Sequence, residues 1–236
     1  MANRVLVIDI ETKPAVAYVW SLFNENISLD KLISPGGTLC FGAKWLGEKS
    51  HVFYSEWEHG TEAMVKAAHA LFEEADAIIT YNGDKFDIPK LMGEFVSHGL
   101  TPPPPPTSID VYKTVKKLGF QSGKLGFVGP FLRLGAKVKH EGFSLWSSVL
   151  DGDAAARKRM EKYCVQDVKL LELVYQRLKP YITNHPHLGK AGGQCPQCQS
   201  TNLQSRGYRR TRMFKIQRVQ CQDCGGWHTG KKEAIK

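Results

Sequence analysis

The first apolar run of the chain carries two carboxylates, and this combination restricts where the run can lie in a fold. Residues Arg4 to Ile10 have the length and apolar content of a buried β-strand, yet Asp9 interrupts the run and Glu11 follows it. Side chains two positions apart project from the same face of a strand, so the two carboxylates share one face. Burying two acids together is costly unless a cation neutralises them. Such pairs are common at strand ends, however, so the pair alone does not identify a metal site.

Length and composition allow one α/β domain of ordinary size with a small appendage. The 236 residues are 42% hydrophobic and 23% charged, which is typical of a globular protein with a real core. Apolar stretches stay well short of the ~20 residues that a membrane helix needs. We therefore expect a cytoplasmic, unprocessed protein without membrane association.

The order of the predicted elements indicates an α/β fold with a mixed sheet. After the first strand we predict strands at 38–45 and 51–54, a helix at 61–75, a strand at 76–81, a helix at 87–98, a strand at 108–111 and a helix at 153–179. Strands in succession, followed by alternating helices and strands, predict an antiparallel meander on one side of the sheet. Parallel crossover strands are expected on the other side.

Residues 119–143 are rich in glycine and in basic side chains, and no phosphate-loop pattern fits them. Two interpretations stay open. The segment either forms a loop-rich cover or holds basic residues, Lys124 and Lys137 among them, over a substrate groove.

Further polar side chains lie at the ends of predicted elements or together on one face of a predicted helix. Residues 81–89, Tyr-Asn-Gly-Asp-Lys-Phe-Asp-Ile-Pro, run from the end of a strand through a turn into a helix, and Asp87 could simply cap that helix. Tyr163 and Asp167 are four positions apart and therefore share one face of the last long helix, although such a pair is often an ordinary surface pair. Asp110, at the end of a short strand, is predicted to be structural rather than catalytic.

Four of the six cysteines form two Cys-x-x-Cys pairs, which favours a metal site over disulfides. Cys195 and Cys198 are separated from Cys221 and Cys224 by 22 residues that include an alternating stretch. Two knuckles joined by a β-hairpin predict a zinc ribbon, in which four thiolates hold one structural Zn²⁺. The predicted organisation is a domain at 1–180, a linker at 181–193, and the zinc ribbon with a basic tail at 194–236.

The positive charge of the chain is concentrated in this last part. Residues 1–180 carry 22 Lys/Arg and 21 Asp/Glu, whereas residues 181–236 carry 10 and 2. The hairpin places Arg209, Arg210 and Arg212 among aromatic residues, a combination that suits single-stranded nucleic acid. The alternatives are a solvated basic hairpin, or one that docks on a protein such as a replication or repair factor.

Three of these sequence segments together resemble the exonuclease motifs of the DEDD superfamily, tyrosine branch, and most closely the proofreading domain of family B DNA polymerases. Asp9-Ile10-Glu11 matches the first motif, residues 82–87 match the Asn-x-x-x-Phe-Asp motif, and residues 163–167 match the Tyr-x-x-x-Asp motif. The resemblance covers residues 4–178 and implies a ribonuclease-H-like mixed sheet with flanking helices. No polymerase domain follows, so we expect a free-standing nuclease.

The resemblance also implies an active site with two divalent cations, Mg²⁺ or Mn²⁺, held by carboxylates. It implies that Asp9 bridges both ions and that Glu11 and Asp167 hold the ion that activates water. Asp87 would hold the other ion through a water molecule. Tyr163 would orient the attacking water.

The implied reaction is hydrolysis of phosphodiester bonds at single-stranded or frayed 3′ ends, with DNA preferred because the resemblance is to DNA proofreaders. Asn82 and Phe86 would shape the groove for the terminal nucleotides. The nearest alternative is a 3′→5′ exoribonuclease. An alternative of another class is a zinc-ribbon nucleic-acid-binding adaptor whose nuclease-like domain is inactive, but all four acids are present, which favours the enzyme.

Overall fold

A five-stranded mixed sheet forms the centre of the N-terminal part of the chain. The computed structural model describes residues 4–105, 107–139, 141–183, 185–188 and 192–235. Its first seven strands are β1 (Val5–Lys13), β2 (Val16–Ala17), β3 (Leu32–Ser34), β4 (Gly37–Trp45), β5 (Val52–Ser55), β6 (Ala77–Thr80) and β7 (Thr107–Asp110). The main sheet has the order β5-β4-β1-β6-β7, while β2 and β3 pair separately. β5, β4 and β1 are antiparallel and β1, β6 and β7 are parallel, which confirms the predicted mixed sheet.

Helices cover both faces of this sheet. They are α1 (Glu56–His59), α2 (Thr61–Glu74), α3 (Asp87–Ser97), α4 (Val111–Lys117), α5 (Leu125–Phe131), α6 (Phe143–Leu150) and α7 (Ala154–Leu178). Buried side chains of α2 and α3 pack on one face, and those of α4, α5 and α7 pack on the other. The α/β fold class with flanking helices is therefore confirmed.

The alternation of side chains along β1 decides which face receives its acids. Leu6 and Ile8 belong to the core beneath α2 and α3, whereas Val5 and Val7 belong to the core beneath α7. Because successive side chains of a strand point to opposite faces, Asp9 continues the row of Val5 and Val7. The acid therefore emerges on the α7 side.

The glycine-rich segment that begins at residue 119 contains α5, which the sequence did not predict. A side chain at Gly129 would place its Cβ 2.9 Å from the carbonyl oxygen of Gly135 and 2.9 Å from Leu170. Gly129 thus permits α5 to approach α7 closely, whereas the sequence pattern suggested that the glycines mark loops. The described residues at this end of the molecule are helical as well as loop-like.

The C-terminal part forms a separate antiparallel sheet. Its strands are β8 (Leu203–Arg210), β9 (Phe214–Cys221) and β10 (Trp227–Ala234), in the order β10-β9-β8. The predicted hairpin corresponds to β8 and β9, and the third strand adds to it. The linker predicted at 181–193 is described at 181–183, 185–188 and 192–193, and the domain boundaries stay a prediction.

In the described part of the chain, none of the helices combines the length and the apolar character needed to cross a membrane.

The turn after β6 supplies a test of the fold. A Cβ at Gly83 would lie 2.3 Å from the Cβ of Thr80, which is buried, whereas a Cβ at Gly93 in α3 would meet nothing within 4 Å. We expect Gly83→Ala to lower the free energy of unfolding by about 1–3 kcal/mol because of overpacking. The matched change Gly93→Ala should raise it by up to about 1 kcal/mol, as expected for an exposed helix interior. Urea unfolding of both variants measures this difference, and equal stabilities would contradict the packing described for the turn.

Candidate active site

β1 carries two of the predicted acids in its carboxyl-terminal half. Asp9 pairs with Gly42 of β4 and Glu11 pairs with Cys40, and the register between these strands shifts directly after Glu11. Both acids remain within the regular part of the strand, so their side chains point to the same face, as the sequence predicted. Asp9 and Glu11 are therefore held by the central strand of the sheet.

Helix α7 crosses this face and supplies the third acid. Asp167 is 1% exposed and Tyr163 lies one turn before it. The helix can approach because Gly42 has no side chain: a Cβ there would lie 3.2 Å from the Sγ of Cys164 and 3.4 Å from its carbonyl oxygen. The absence of a side chain next to Asp9 thus allows Asp167 to reach the acids of β1.

Three carboxylates meet at this crossing. One oxygen each from Asp9, Glu11 and Asp167 lies within 4.8 Å of the others. Carboxylate oxygens at this separation are the ligands that Mg²⁺ and Mn²⁺ prefer, so the group could hold such an ion. The structure brings together three of the four acids that were predicted to bind the catalytic metals.

The fourth acid, Asp87, lies beside this cluster. It is 3% exposed, occupies the first position of α3, and its Oδ1 accepts a hydrogen bond of 3.1 Å from the backbone N–H of Ile10. That bond ties the start of α3 to β1 between Asp9 and Glu11. Asp87 is close enough to raise the pKa of Asp9 but is not one of the three acids that converge. This position suits contact with an ion through water, and its metal role stays a prediction.

Burial and mutual repulsion disfavour ionisation of these acids in the absence of a metal ion. Burial, reinforced by Asp87 and Glu11, raises the pKa of Asp9 well above its ordinary value. Burial, reinforced by Asp167, raises the pKa of Glu11 to about 8, and burial raises the pKa of Asp87 to about 6. A divalent cation would reverse this preference because it stabilises the ionised forms.

Lys137 places a positive charge inside the cluster. Its Nζ lies 2.5 Å from Oδ2 of Asp167 and donates a hydrogen bond of 3.1 Å to the hydroxyl of Tyr163. Although burial favours the neutral amine, Asp167 raises the pKa of Lys137, which keeps it charged. Burial, together with Asp167, raises the pKa of Tyr163, so its hydroxyl stays protonated at neutral pH. Of the two interpretations of residues 119–143, the position of Lys137 favours basic residues at a groove.

A groove of about 660 Å³ opens beside the cluster. Asp9, Tyr163 and Lys137 line it, together with Asn82 at the end of β6 and Lys124 before α5. Ligand sites commonly have such volumes, and two lysines beside an acidic cluster suit an anionic substrate next to a cation. Asp9 is therefore accessible from a groove large enough for a nucleotide.

Asn82 and Phe86, predicted to shape this groove, differ in position. Asn82 lines the groove and adopts a φ of 68°, which is held by a hydrogen bond of 2.8 Å from its N–H to Oδ1 of Asp110. Phe86 precedes α3, is 40% exposed and does not line the groove. Asp110 also accepts a bond from the N–H of Tyr112, as expected of a structural residue.

The four cysteines of the second part also converge. One sulfur atom from each of Cys195, Cys198, Cys221 and Cys224 lies within 4.8 Å of the others. The two knuckles repeat one turn: the first cysteine of each pair accepts a backbone bond from the residue four positions later, Gln199 or Gly225, and both of these have positive φ.

The pKa values of the thiols shift in different directions. Although burial opposes it, backbone N–H groups of Cys224 and Asp223 lower the pKa of Cys221 to about 7, whereas burial raises the pKa of Cys198 and raises that of Cys224 to about 12. A bound cation would stabilise the thiolate form of these groups. The group fits a four-thiolate zinc site. The predicted Arg209, Arg210 and Arg212 lie on β8 and in the turn after it, and they do not line the groove beside the acidic cluster.

A mixed sheet with acids at the end of its central strand is the arrangement of a ribonuclease-H-like fold. Residues 33–179 match the family model of the RNase_H superfamily, so the chain belongs to this superfamily. No curated protein matches the chain significantly. The match supports a nuclease-type fold without selecting an exonuclease branch. It begins after β1, so the assignment of Asp9 and Glu11 depends on the geometry described above.

The raised pKa values predict how stability depends on pH and metal. Because Glu11 has a pKa of about 8 in the folded chain and 4.5 ordinarily, its contribution to stability is full below pH 4.5 and is lost as pH rises toward 8. We therefore expect the unfolding temperature of the protein, with no metal in the acidic site, to fall between pH 4.5 and pH 8. Mg²⁺ should restore stability, by about 2.7 kcal/mol at a concentration a hundred times its Kd.

Thermal unfolding at about pH 5 and pH 8, with and without Mg²⁺, checks this prediction. Chelators are omitted because they would also remove zinc from the cysteines. Glu11→Gln is the control, since it removes one of the titrating acids and should reduce the pH dependence. A wild-type protein whose stability rises toward pH 8 without metal would contradict the electrostatic description.

Proposed function

We propose that this protein is a metal-dependent 3′→5′ exonuclease that removes nucleotides from single-stranded or frayed 3′ ends, with DNA as the preferred substrate. The observation that carries the proposal is the convergence of Asp9, Glu11 and Asp167 beside the hydroxyl of Tyr163, at a groove open to solvent. The RNase_H superfamily supports nuclease chemistry. The exonuclease assignment is further supported by the three sequence motifs. They contribute Asp9 and Glu11, Asp87, and Tyr163 and Asp167, respectively.

Each acid of the site has a proposed task. Asp9, Glu11 and Asp167 would hold Mg²⁺ or Mn²⁺ directly, and Asp87 would act through water. When bound, two divalent cations generate a nucleophile from water and stabilise the leaving 3′ oxygen. The protein contributes fixed ligands, since β1, α3 and α7 are tied together by the hydrogen bond to Asp87 and by packing at Gly42.

Tyr163 and Lys137 would act on the substrate side of the site. The tyrosine hydroxyl is protonated and lines the groove, so it can donate to or accept from an attacking water and fix its orientation. Lys137 neutralises Asp167 when no other cation is present. Its ammonium group can instead contact a phosphate oxygen once a divalent cation satisfies that carboxylate.

The ribbon would bind the substrate strand rather than perform chemistry. Four thiolates close the coordination shell of a structural Zn²⁺ and leave no position for water or substrate. In contrast to the nearly neutral N-terminal part, the ribbon carries most of the net positive charge, which suits attraction to phosphates.

The direct test is hydrolysis of end-labelled oligonucleotides. With Mg²⁺ or Mn²⁺, 5′-labelled single-stranded DNA should yield a ladder, and 3′-labelled DNA should yield mononucleotide. Asp9→Asn and Asp167→Asn should each reduce the rate by more than about 10²-fold, since even groups that only orient metal ligands contribute about 10–100-fold. Tyr163→Phe should reduce it by about 10²-fold or more without abolishing it.

Asp151→Asn is the matched control, because Asp151 is an exposed residue after α6 and undergoes the same chemical change. It should retain full activity. Duplex DNA and RNA of the same sequence establish the preferred substrate. Full activity of folded Asp9→Asn, or cuts confined to internal positions, would contradict the proposed function.

A further inference from the structure

A second groove lies between the ribbon and the segment that leads into it. It has a volume of about 590 Å³ and is lined on one side by Ile182, Thr183, His185 and His187 and on the other by residues of β8, β9 and β10. We call it the ribbon groove. None of the sequence motifs points to this groove, and the acidic cluster does not line it.

Hydrogen bonds fix the two walls of the ribbon groove to each other. Gln197, between the first two cysteines, donates from its side-chain nitrogen to the carbonyl oxygen of Ile182 at 3.3 Å. The N–H of Leu188 donates to the carbonyl oxygen of Pro196 at 3.1 Å. His185, on the linker wall, bonds through Nε2 to the hydroxyl of the buried Tyr175 at 2.7 Å. The groove is thus a built feature that joins the first knuckle to the end of α7.

The charge of the groove selects an anion. Arg209 of β8 and Arg218 of β9 line it, and none of the acidic side chains that the structure describes does so. Among the described residues, neither guanidinium has a carboxylate within salt-bridge distance. Each guanidinium presents a planar fork of N–H donors that matches a phosphate, and both line this groove.

The remaining polar and aromatic groups suit a base next to that phosphate. Trp227, at the start of β10, lines the groove and is 48% exposed, so part of its ring is available for stacking. His228 also lines the groove, and its Nδ1 is buried without a hydrogen-bond partner among the described residues. A buried polar atom of this kind is stabilised when a ligand supplies the missing bond.

We propose that the ribbon groove binds one nucleotide unit of single-stranded nucleic acid, with the phosphate on Arg209 and Arg218 and the base on Trp227. The inference rests on the proposed function, since it assigns a second contact for the same substrate strand. It is narrower than attraction to a basic hairpin: Arg210 and Arg212 are equally charged, yet they do not line the groove. The two arginine pairs therefore form a matched comparison.

Binding is measured on the full-length chain in an Asp9→Asn background, without added divalent metal or chelator, so that the strand is not cleaved and zinc is retained. The probe is a fluorescently labelled oligothymidylate. Arg209→Ala/Arg218→Ala should weaken binding and lower the slope of log affinity against log salt by about 0.7, the value for one phosphate contact. Arg210→Ala/Arg212→Ala removes the same charge and should leave most of that slope.

Trp227 supplies the second arm of the experiment. Trp227→Ala should weaken binding about tenfold through lost stacking, and Trp227→Tyr should restore most of it. Zinc content shows that each ribbon variant is folded. Equal losses for both arginine pairs, or no loss in Trp227→Ala, would overturn the ribbon groove as a nucleotide site.

Two further arms separate other ligands. Binding of labelled polyglutamate through the same residues, without binding of oligothymidylate, would overturn the proposal in favour of an acidic protein partner. Thymidine monophosphate that binds tightly in the absence of strand binding would also overturn it. Hydrolysis of a trinucleotide by the wild-type protein tests the proposed nuclease separately, because so short a substrate reports on the acidic site alone.

Discussion

Repulsion among three carboxylates beneath α7 is the constraint on which the organisation of the N-terminal part depends. One carboxylate oxygen each from Asp9, Glu11 and Asp167 lies within 4.8 Å of the others, with Asp167 buried and the other two acids partly buried. At that separation, charges of like sign are costly in a protein interior. Lys137 compensates for Asp167, while burial and repulsion disfavour ionisation of Asp9 and Glu11 until a divalent cation binds. The fold thus maintains a site whose stability and protonation both depend on cations.

The elements around this cluster can be understood from that constraint. Side chains of β1 alternate between the two faces of the sheet, and its apolar residues fill the cores on both faces. The acids follow in the carboxyl-terminal half of the strand, on the face covered by α7. Gly42 allows α7 to approach, and Asp87 anchors α3 to the same strand. The ribbon carries the complementary property: positive charge without acidic neighbours in its groove. We interpret the molecule as a division between a part for chemistry and a part for holding the strand.

Much of this arrangement could be predicted from the sequence, because the strongest signals are local. The strand character of β1, the helical spacing of Tyr163 and Asp167, and the two Cys-x-x-Cys pairs each follow from periodicity or spacing. Lys137 could not be assigned, since its contact with Asp167 spans thirty positions and crosses a segment whose glycines resemble those of a loop. The ribbon groove was missed for the same reason: its walls come from distant segments, and β10 has no strong pattern of alternation.

The most direct test of the central claim is a crystal structure with Mn²⁺, measured at the manganese absorption edge so that zinc in the ribbon is distinguished from manganese in the acidic site. We expect an anomalous peak for manganese within bonding distance of oxygens of Asp9, Glu11 and Asp167. The Lys137 ammonium should no longer be paired with Asp167. An acidic site without manganese, with the lysine still on Asp167 at a concentration that saturates the thermal shift, would contradict it.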